Sequence, residues 1–166
     1  IKTLYIGGGT PSSLSLEALT KLFNILKNIK LCNNYEFTFE CNYEDVTEEL
    51  LLLLKENKVN RISIGLQTFN KKFENILNRK VNKDIMIEKI NLSKKCFNNI
   101  NVDLMYGFNN QTIEELENDL KEFLKLDISH ISTYSLILEE NTRLYIKGYE
   151  SIDEDIESSM YYKIVS

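Results

Sequence analysis

Proline occurs once in these 166 residues and histidine once. Cys32, Cys41 and Cys96 are odd in number and far apart. That spacing excludes a disulfide framework, and it excludes a metal or cluster site built from closely spaced cysteines within this sequence. Reduced thiols of this kind point to a cytoplasmic setting. No apolar run approaches the length of a membrane span. No basic block offers a nucleic-acid surface, since 20 basic residues stand against 25 acidic ones for a net charge of −5. Low-complexity tracts and linker-like breaks are missing too. A hydrophobic content of 43% with 27% charged residues leaves an ordinary globular chain, one domain's worth or a piece of something larger. The sequence opens at Ile1 already inside a strand pattern. We therefore expect a domain truncated at the N-terminus, with further chain beyond Ser166.

Glycine is also scarce, yet three of the six glycines are consecutive, in Lys2-Thr-Leu-Tyr-Ile-Gly-Gly-Gly-Thr-Pro-Ser12. Residues with strand propensity run to Ile6 and stop at Gly7. The lone proline, Pro11, follows, and Ser12, Ser13 and Ser15 offer caps for a helix. Two readings stand. Consecutive glycines let a ligand approach bare backbone whose N–H groups bind polar or charged atoms, or they merely make a tight strand-to-helix turn. No Gly-Lys-Ser/Thr follows, so this is not a Walker loop, and G-x-G-x-x-G does not fit either.

Beyond the loop, periodicity predicts alternating helices and strands. Leu16, Leu19, Leu22, Phe23, Leu26 and Ile29 recur at helical spacing. Glu36 to Glu40 alternates as a strand, and Thr47 caps a helix holding Leu50 to Leu54. Arg61 to Gln67 alternates again. A short helix around Phe73 to Leu77 ends near Arg79, and a longer one covers Lys83 to Cys96. Ile100 to Tyr106 is the fourth strand, a helix capped by Thr112 follows, His130 to Leu138 is the fifth strand, and Ile152 to Val165 is helical. Units of about 30 residues imply parallel βα repetition. Strands buried on both faces read as continuous apolar runs, but four strands here carry a polar series: Glu36/Thr38/Glu40, Ser63/Gly65/Gln67, Asn101/Asp103 and His130/Ser132/Tyr134. A wet barrel interior explains four such strands better than solvated edges do. Glu40, Gln67 and the Gly7–Gly9 loop fall at the C-terminal ends of their strands, where barrel enzymes keep their sites. The expectation is an α/β fold, a partial (β/α) barrel of five units.

Six motifs occur in order: Gly7-Gly-Gly-Thr-Pro-Ser12, Glu40-Cys-Asn42, Ile64-Gly-Leu-Gln-Thr-Phe69, Leu77-Asn-Arg79, Val102-Asp-Leu-Met-Tyr-Gly107 and His130-Ile-Ser-Thr-Tyr-Ser-Leu136. Together they resemble the radical S-adenosylmethionine (SAM) core of the oxygen-independent coproporphyrinogen III dehydrogenase family. Ser132 to Thr142 is similar to the last-strand segment of that family's haem-chaperone branch. The resemblance implies two cofactors, S-adenosylmethionine and a [4Fe–4S] cluster whose ligand cysteines lie outside this chain. Cleavage of the sulfonium would yield a radical that abstracts hydrogen, with the protein holding and shielding the cofactor. It also implies haem or a porphyrinogen as partner, an electron donor for the cluster, and neither nucleic acid nor a membrane span.

By the same resemblance, Gly7 and Gly8 would meet the methionine amino group, helped by Gly9 and Thr10. Glu40 would accept the ribose hydroxyls, Gln67 and Asp103 would complete the polar shell, and Arg79 would pair with the methionine carboxylate. Met105 and Tyr134 would border the adenine. No residue is assigned as catalytic or as a metal ligand. Plainer roles compete: Arg79 serving a helix end, Asp103 as a structural acid, His130 as a structural histidine and Cys41 as an inert thiol facing the helix layer. Tyr43, Val81 and Phe108-Asn109 depart from the family pattern of proline, histidine and Leu-Pro. Three functions stay open: chaperone, dehydrogenase acting by oxidative decarboxylation of propionates, and an unrelated phosphate-binding barrel.

Overall fold

The computed structural model describes all residues, Ile1–Ser166. Strand β1 (Thr3–Ile6) stops at the glycines, and Pro11 opens a 3-10 turn at Pro11–Ser13. Of the three candidate serines, Ser15 is the cap. Its Oγ accepts from Ala18 N–H at 3.2 Å and starts α1 (Leu16–Leu26). Then come β2 (Glu36–Asn42), α2 (Glu48–Glu56) behind its Thr47 cap, and β3 (Arg61–Gln67). A short α3 (Glu74–Leu77) and a longer α4 (Lys83–Lys94) lead to β4 (Ile100–Tyr106). Thr112 and Glu115 form a capping box for α5 (Ile113–Leu124). β5 (His130–Ser135), α6 (Arg143–Ile146) and α7 (Glu154–Val165), capped by Asp153, complete the chain.

The five strands form one sheet in the order β1-β2-β3-β4-β5. β1 and β2 pair in parallel with Tyr5 opposite Thr38, and β2 and β3 pair in parallel with Glu40 opposite Ser63. A doubly wound sheet reverses its order at a switch point. Strictly sequential order without that reversal is the winding of a barrel.

Compactness divides the chain into two units, one of Ile1–Leu66, Asp84–Val102 and Ile128–Ile131, the other of Gln67–Lys83, Asp103–Asp127 and Ser132–Ser166. In the first, Phe23 of α1 is buried against Phe37 and Phe39, with ring centroids 6.3 and 6.0 Å away. Phe37 and Phe39 therefore face the helix layer, and Glu36, Thr38 and Glu40 take the other face, as the alternation predicts. In the second, Phe69 packs on Phe123 at 4.8 Å, and Phe108 stacks on Phe73 at 4.3 Å. The three departures from the family pattern are core residues here: Tyr43, Val81 and Phe108 are all buried.

Two expectations need correction at element ends. The fifth strand stops at Ser135 and does not reach Leu138, although Leu136 N–H still donates to Tyr106 C=O at 2.8 Å. Ile137 is 75% exposed, so the apolar residues that suggested a longer strand are not buried by one. Also, α4 ends at Lys94 and α7 begins at Glu154, two residues inside the expected limits in each case. Helix α6 has no apolar period to announce it.

Candidate functional site

The first unit carries the glycine loop and Glu40. The register puts Ile6 opposite Phe39, so Gly7 lies beside Glu40 at the C-terminal ends of β1 and β2. A Cβ on Gly7 would come within 2.5 Å of both Glu40 Cδ and Tyr5 Cε1. Nothing else than glycine fits without moving the carboxylate. Gly8 and Gly9 have φ of 78° and 44°, and no atom lies within 4 Å of where their Cβ atoms would sit. Their backbone is thus bare and approachable. Thr10 shares the left-handed conformation at φ 57° without being glycine, a local cost typical of a functional loop.

Glu40 is half-buried and already organised. Gly8 N–H donates to Oε2 at 2.8 Å, and Tyr5 O–H donates to Oε1 at 2.5 Å. A carboxylate offers about four acceptor positions, so about two remain for a ligand. The downstream side of the loop is pinned as well. Buried Ser12 donates to Asp45 Oδ2 at 2.7 Å and accepts from Asn42 N–H at 2.9 Å, which fixes the loop to the end of β2. Cys41 points the other way, and burial first, then the charges of Asp45 and Glu40, push its thiol up to about 12. At neutral pH it is an inert thiol, as the strand phase predicts.

Chemically, this loop suits donors better than anions. The N–H of Gly8 is committed to Glu40, and the carboxylate would repel a phosphate drawn to the remaining amides. Hydroxyl and ammonium groups are the natural partners of the free acceptor positions. Elsewhere in this unit, His130 Nδ1 contacts Asn101 Oδ1, and Asn101 Nδ2 donates to Ser63 Oγ at 2.7 Å. His130 sits at the start of β5, so this network lies at the end of its strand away from the C-terminal edge.

The second unit carries Gln67, Arg79, Asp103, Met105 and Tyr134. Gln67 ends β3 with φ 72°, again left-handed without being glycine, and its Oε1 accepts from Tyr134 O–H at 2.5 Å. That bond commits the amide oxygen and leaves the NH2 group to donate. Asp103 and Met105 are half-buried on one face of β4, opposite fully buried Val102 and Leu104. Arg79 follows Asn78, whose φ of 51° ends α3. Its side chain lines an open cavity of about 530 Å³ with Glu74, Lys80, Lys147 and Tyr149. Glu74 accepts from Val81 N–H and Lys80 Nζ, and those two bonds hold its carboxyl below the usual range.

Of the ten predicted cofactor residues, Gly7, Gly8, Gly9 and Thr10 follow β1, Gln67 ends β3, Glu40, Met105 and Tyr134 lie within two residues of the C-terminal ends of β2, β4 and β5, Asp103 lies in the middle of β4, and Arg79 follows α3. Two participants escaped the sequence reading. Tyr5 shares the phase of Gly7, and the β1–β2 register would have exposed it. Asp119, five residues before the end of α5, gave no signal because a charged residue on a helix is usually solvated.

Residues 1–123 match the Radical SAM superfamily. The heme chaperone HemW of Buchnera aphidicola subsp. Acyrthosiphon pisum is 37% identical over 161 residues, 96% of this chain and 43% of its own length. HemW of Lactococcus lactis is 40% identical over 144 residues, 86% of this chain and 38% of its own. The chain therefore spans about two fifths of the length of these curated relatives. Among solved structures, coproporphyrinogen III oxidase (HemN) from Escherichia coli superimposes with a TM-score of 0.88 at 22% identity, over 99% of this chain and 39% of that one. That likeness makes the fold the partial (β/α) barrel of a radical SAM core. Matched by the superfamily model along three quarters of its length, the chain belongs to the Radical SAM superfamily.

Proposed function

We propose that residues 1–166 hold S-adenosylmethionine in a radical SAM protein of haem metabolism, a haem chaperone of the HemW kind. The superfamily implies S-adenosylmethionine and a [4Fe–4S] cluster, which when bound would supply one-electron cleavage of the sulfonium to methionine and a 5′-deoxyadenosyl radical able to abstract hydrogen. In this reading, as the family resemblance implies, the cluster's ligand cysteines belong to parts of the protein outside residues 1–166. The single observation that carries the cofactor assignment is Glu40, oriented by Gly8 N–H and Tyr5 O–H beside open glycine backbone.

In this reading Glu40 accepts the ribose hydroxyls with its two remaining acceptor positions. Gly7, Gly8, Gly9 and Thr10 offer backbone to the methionine ammonium group. Gln67 donates its amide NH2 to an acceptor of the same ligand, with Asp103 completing the polar shell. Arg79 presents a planar fork to the methionine carboxylate, and Met105 and Tyr134 border the adenine. The donor-seeking character of the glycine loop argues against the phosphate-binding alternative.

The chaperone branch rests on identities of 37–40% to HemW proteins and on the Ser132–Thr142 segment. Haem is then the cargo, an electron donor serves the cluster, and the free thiols suit a cytoplasmic protein. No helix is long and apolar enough to cross a membrane. The test uses the full-length reconstituted protein, given haem in one arm and coproporphyrinogen III in the other. Binding and onward transfer of haem without CO2 release is the expected result. Conversion of propionates to vinyl groups with CO2 release would assign the dehydrogenase activity instead.

A further inference from the structure

Asp119 is the one charged residue in the buried interior, 4% exposed on α5. Burial raises its carboxyl above the ordinary range. A buried carboxyl is costly unless its oxygens are hydrogen-bonded, and removing it leaves its buried donors unpaired. Its partners are specific. Thr68 O–H donates to Oδ2, and Phe69 N–H donates to Oδ1 at 3.0 Å. Thr68 Oγ1 in turn accepts from Asn70 N–H at 2.9 Å, closing the turn on itself. The ring of Phe69 packs on Phe123, one helical turn beyond Asp119.

These bonds grip the two residues immediately after Gln67. Gln67 is held in a left-handed backbone that a side chain seldom adopts, at φ 72°. Such a conformation persists only where its surroundings over-determine it. Tyr134 fixes the far end of the same residue through its amide oxygen. Gln67 is therefore clamped at both ends, by α5 on the backbone and by β5 on the side chain. We propose that Asp119 is a positioning residue, whose carboxylate fixes the Thr68–Phe69 turn so that Gln67 presents its amide NH2 to the ligand.

The inference rests on the reading of Gln67 as a cofactor contact, and the test separates the two. In full-length, cluster-loaded protein, Asp119→Ala weakens S-adenosylmethionine binding about tenfold, the scale of one well-placed hydrogen bond to a charged ligand. Amide exchange at Phe69 and Asn70 rises in parallel. Asp119→Asn keeps an acceptor for Phe69 N–H and restores most of the affinity. In a Gln67→Ala background the Asp119→Ala loss disappears, a non-additivity that a merely structural role would not produce. Should Asp119→Ala fail to fold, Thr68→Val removes one of the two bonds and is read by the same cycle. Additive losses, or unchanged exchange at Phe69, would overturn the inference. Gln67→Ala binding the cofactor as tightly as wild type would overturn the underlying reading, a result visible without any Asp119 variant.

Discussion

Gly7 shows how one hydrogen atom in place of a methyl group sets the chemistry of the glycine loop. A Cβ there would collide with Glu40 Cδ and Tyr5 Cε1 at 2.5 Å, displacing the two groups that make the acceptor site. We predict that Gly7→Ala lowers S-adenosylmethionine affinity about as much as removing the carboxylate, roughly tenfold, while the melting temperature moves by only a few degrees because the residue is exposed. Calorimetric titration beside a thermal melt checks both halves. Affinity retained in Gly7→Ala would mean that the loop needs flexibility and not the close approach. At this scale the sequence was informative wherever a side chain's phase on a strand decided its face. Glu40, Cys41 and Phe39 were each legible that way. Tyr5 was not, because its role depends on register with β2, a property of two strands together. Asp119 was hidden for a similar reason, since only the packed turn after β3 makes it a partner and not a solvated helix residue.

Among the elements, α1 and β2 depend on each other through Phe23, which lies 2% exposed against Phe37 and Phe39. Truncating it leaves a cavity that the two rings cannot fill, so Phe23→Ala is expected to cost about 3–5 kcal/mol in chemical denaturation. A cost under about 1 kcal/mol would show that α1 collapses freely onto the sheet. Helix α5 is tied by charge as well. Lys125 and then Lys83, at 2.8 and 2.7 Å, hold the Glu122 carboxyl down to about 2 from an ordinary 4.5. A carboxylate whose folded value is depressed adds stability that is fully present above the unfolded value and lost as pH falls through the folded one. Wild type should therefore exceed Glu122→Gln in stability above about pH 4.5, and the two should converge as pH falls toward about 2. A difference that persists unchanged to pH 2 would assign the effect to packing. Helix caps such as Thr47 and Thr112 were readable because the cap and its apolar period are neighbours in sequence. The end of β5 was not, since Leu136, Ile137 and Leu138 continue an apolar run that nothing buries as a strand.

For the whole molecule, the winding is the central fact: five strands in sequential order, with the polar residues of β2 on the face away from the helix layer and Glu40 and Gln67 near the C-terminal ends of their strands. That order was legible from βα repetition and the polar phases together, since either alone also fits an open sheet. The claim built on it is that this arrangement holds S-adenosylmethionine through Glu40, independently of the iron cluster. The most direct measurement is calorimetric titration of S-adenosylmethionine into full-length, cluster-loaded wild type and Glu40→Ala, with iron counted in both. Ribose recognition and iron ligation use different atoms, so the account predicts affinity reduced about tenfold or more with iron content unchanged. Iron lost from Glu40→Ala with cofactor affinity intact would contradict it and make Glu40 a residue of the fold alone.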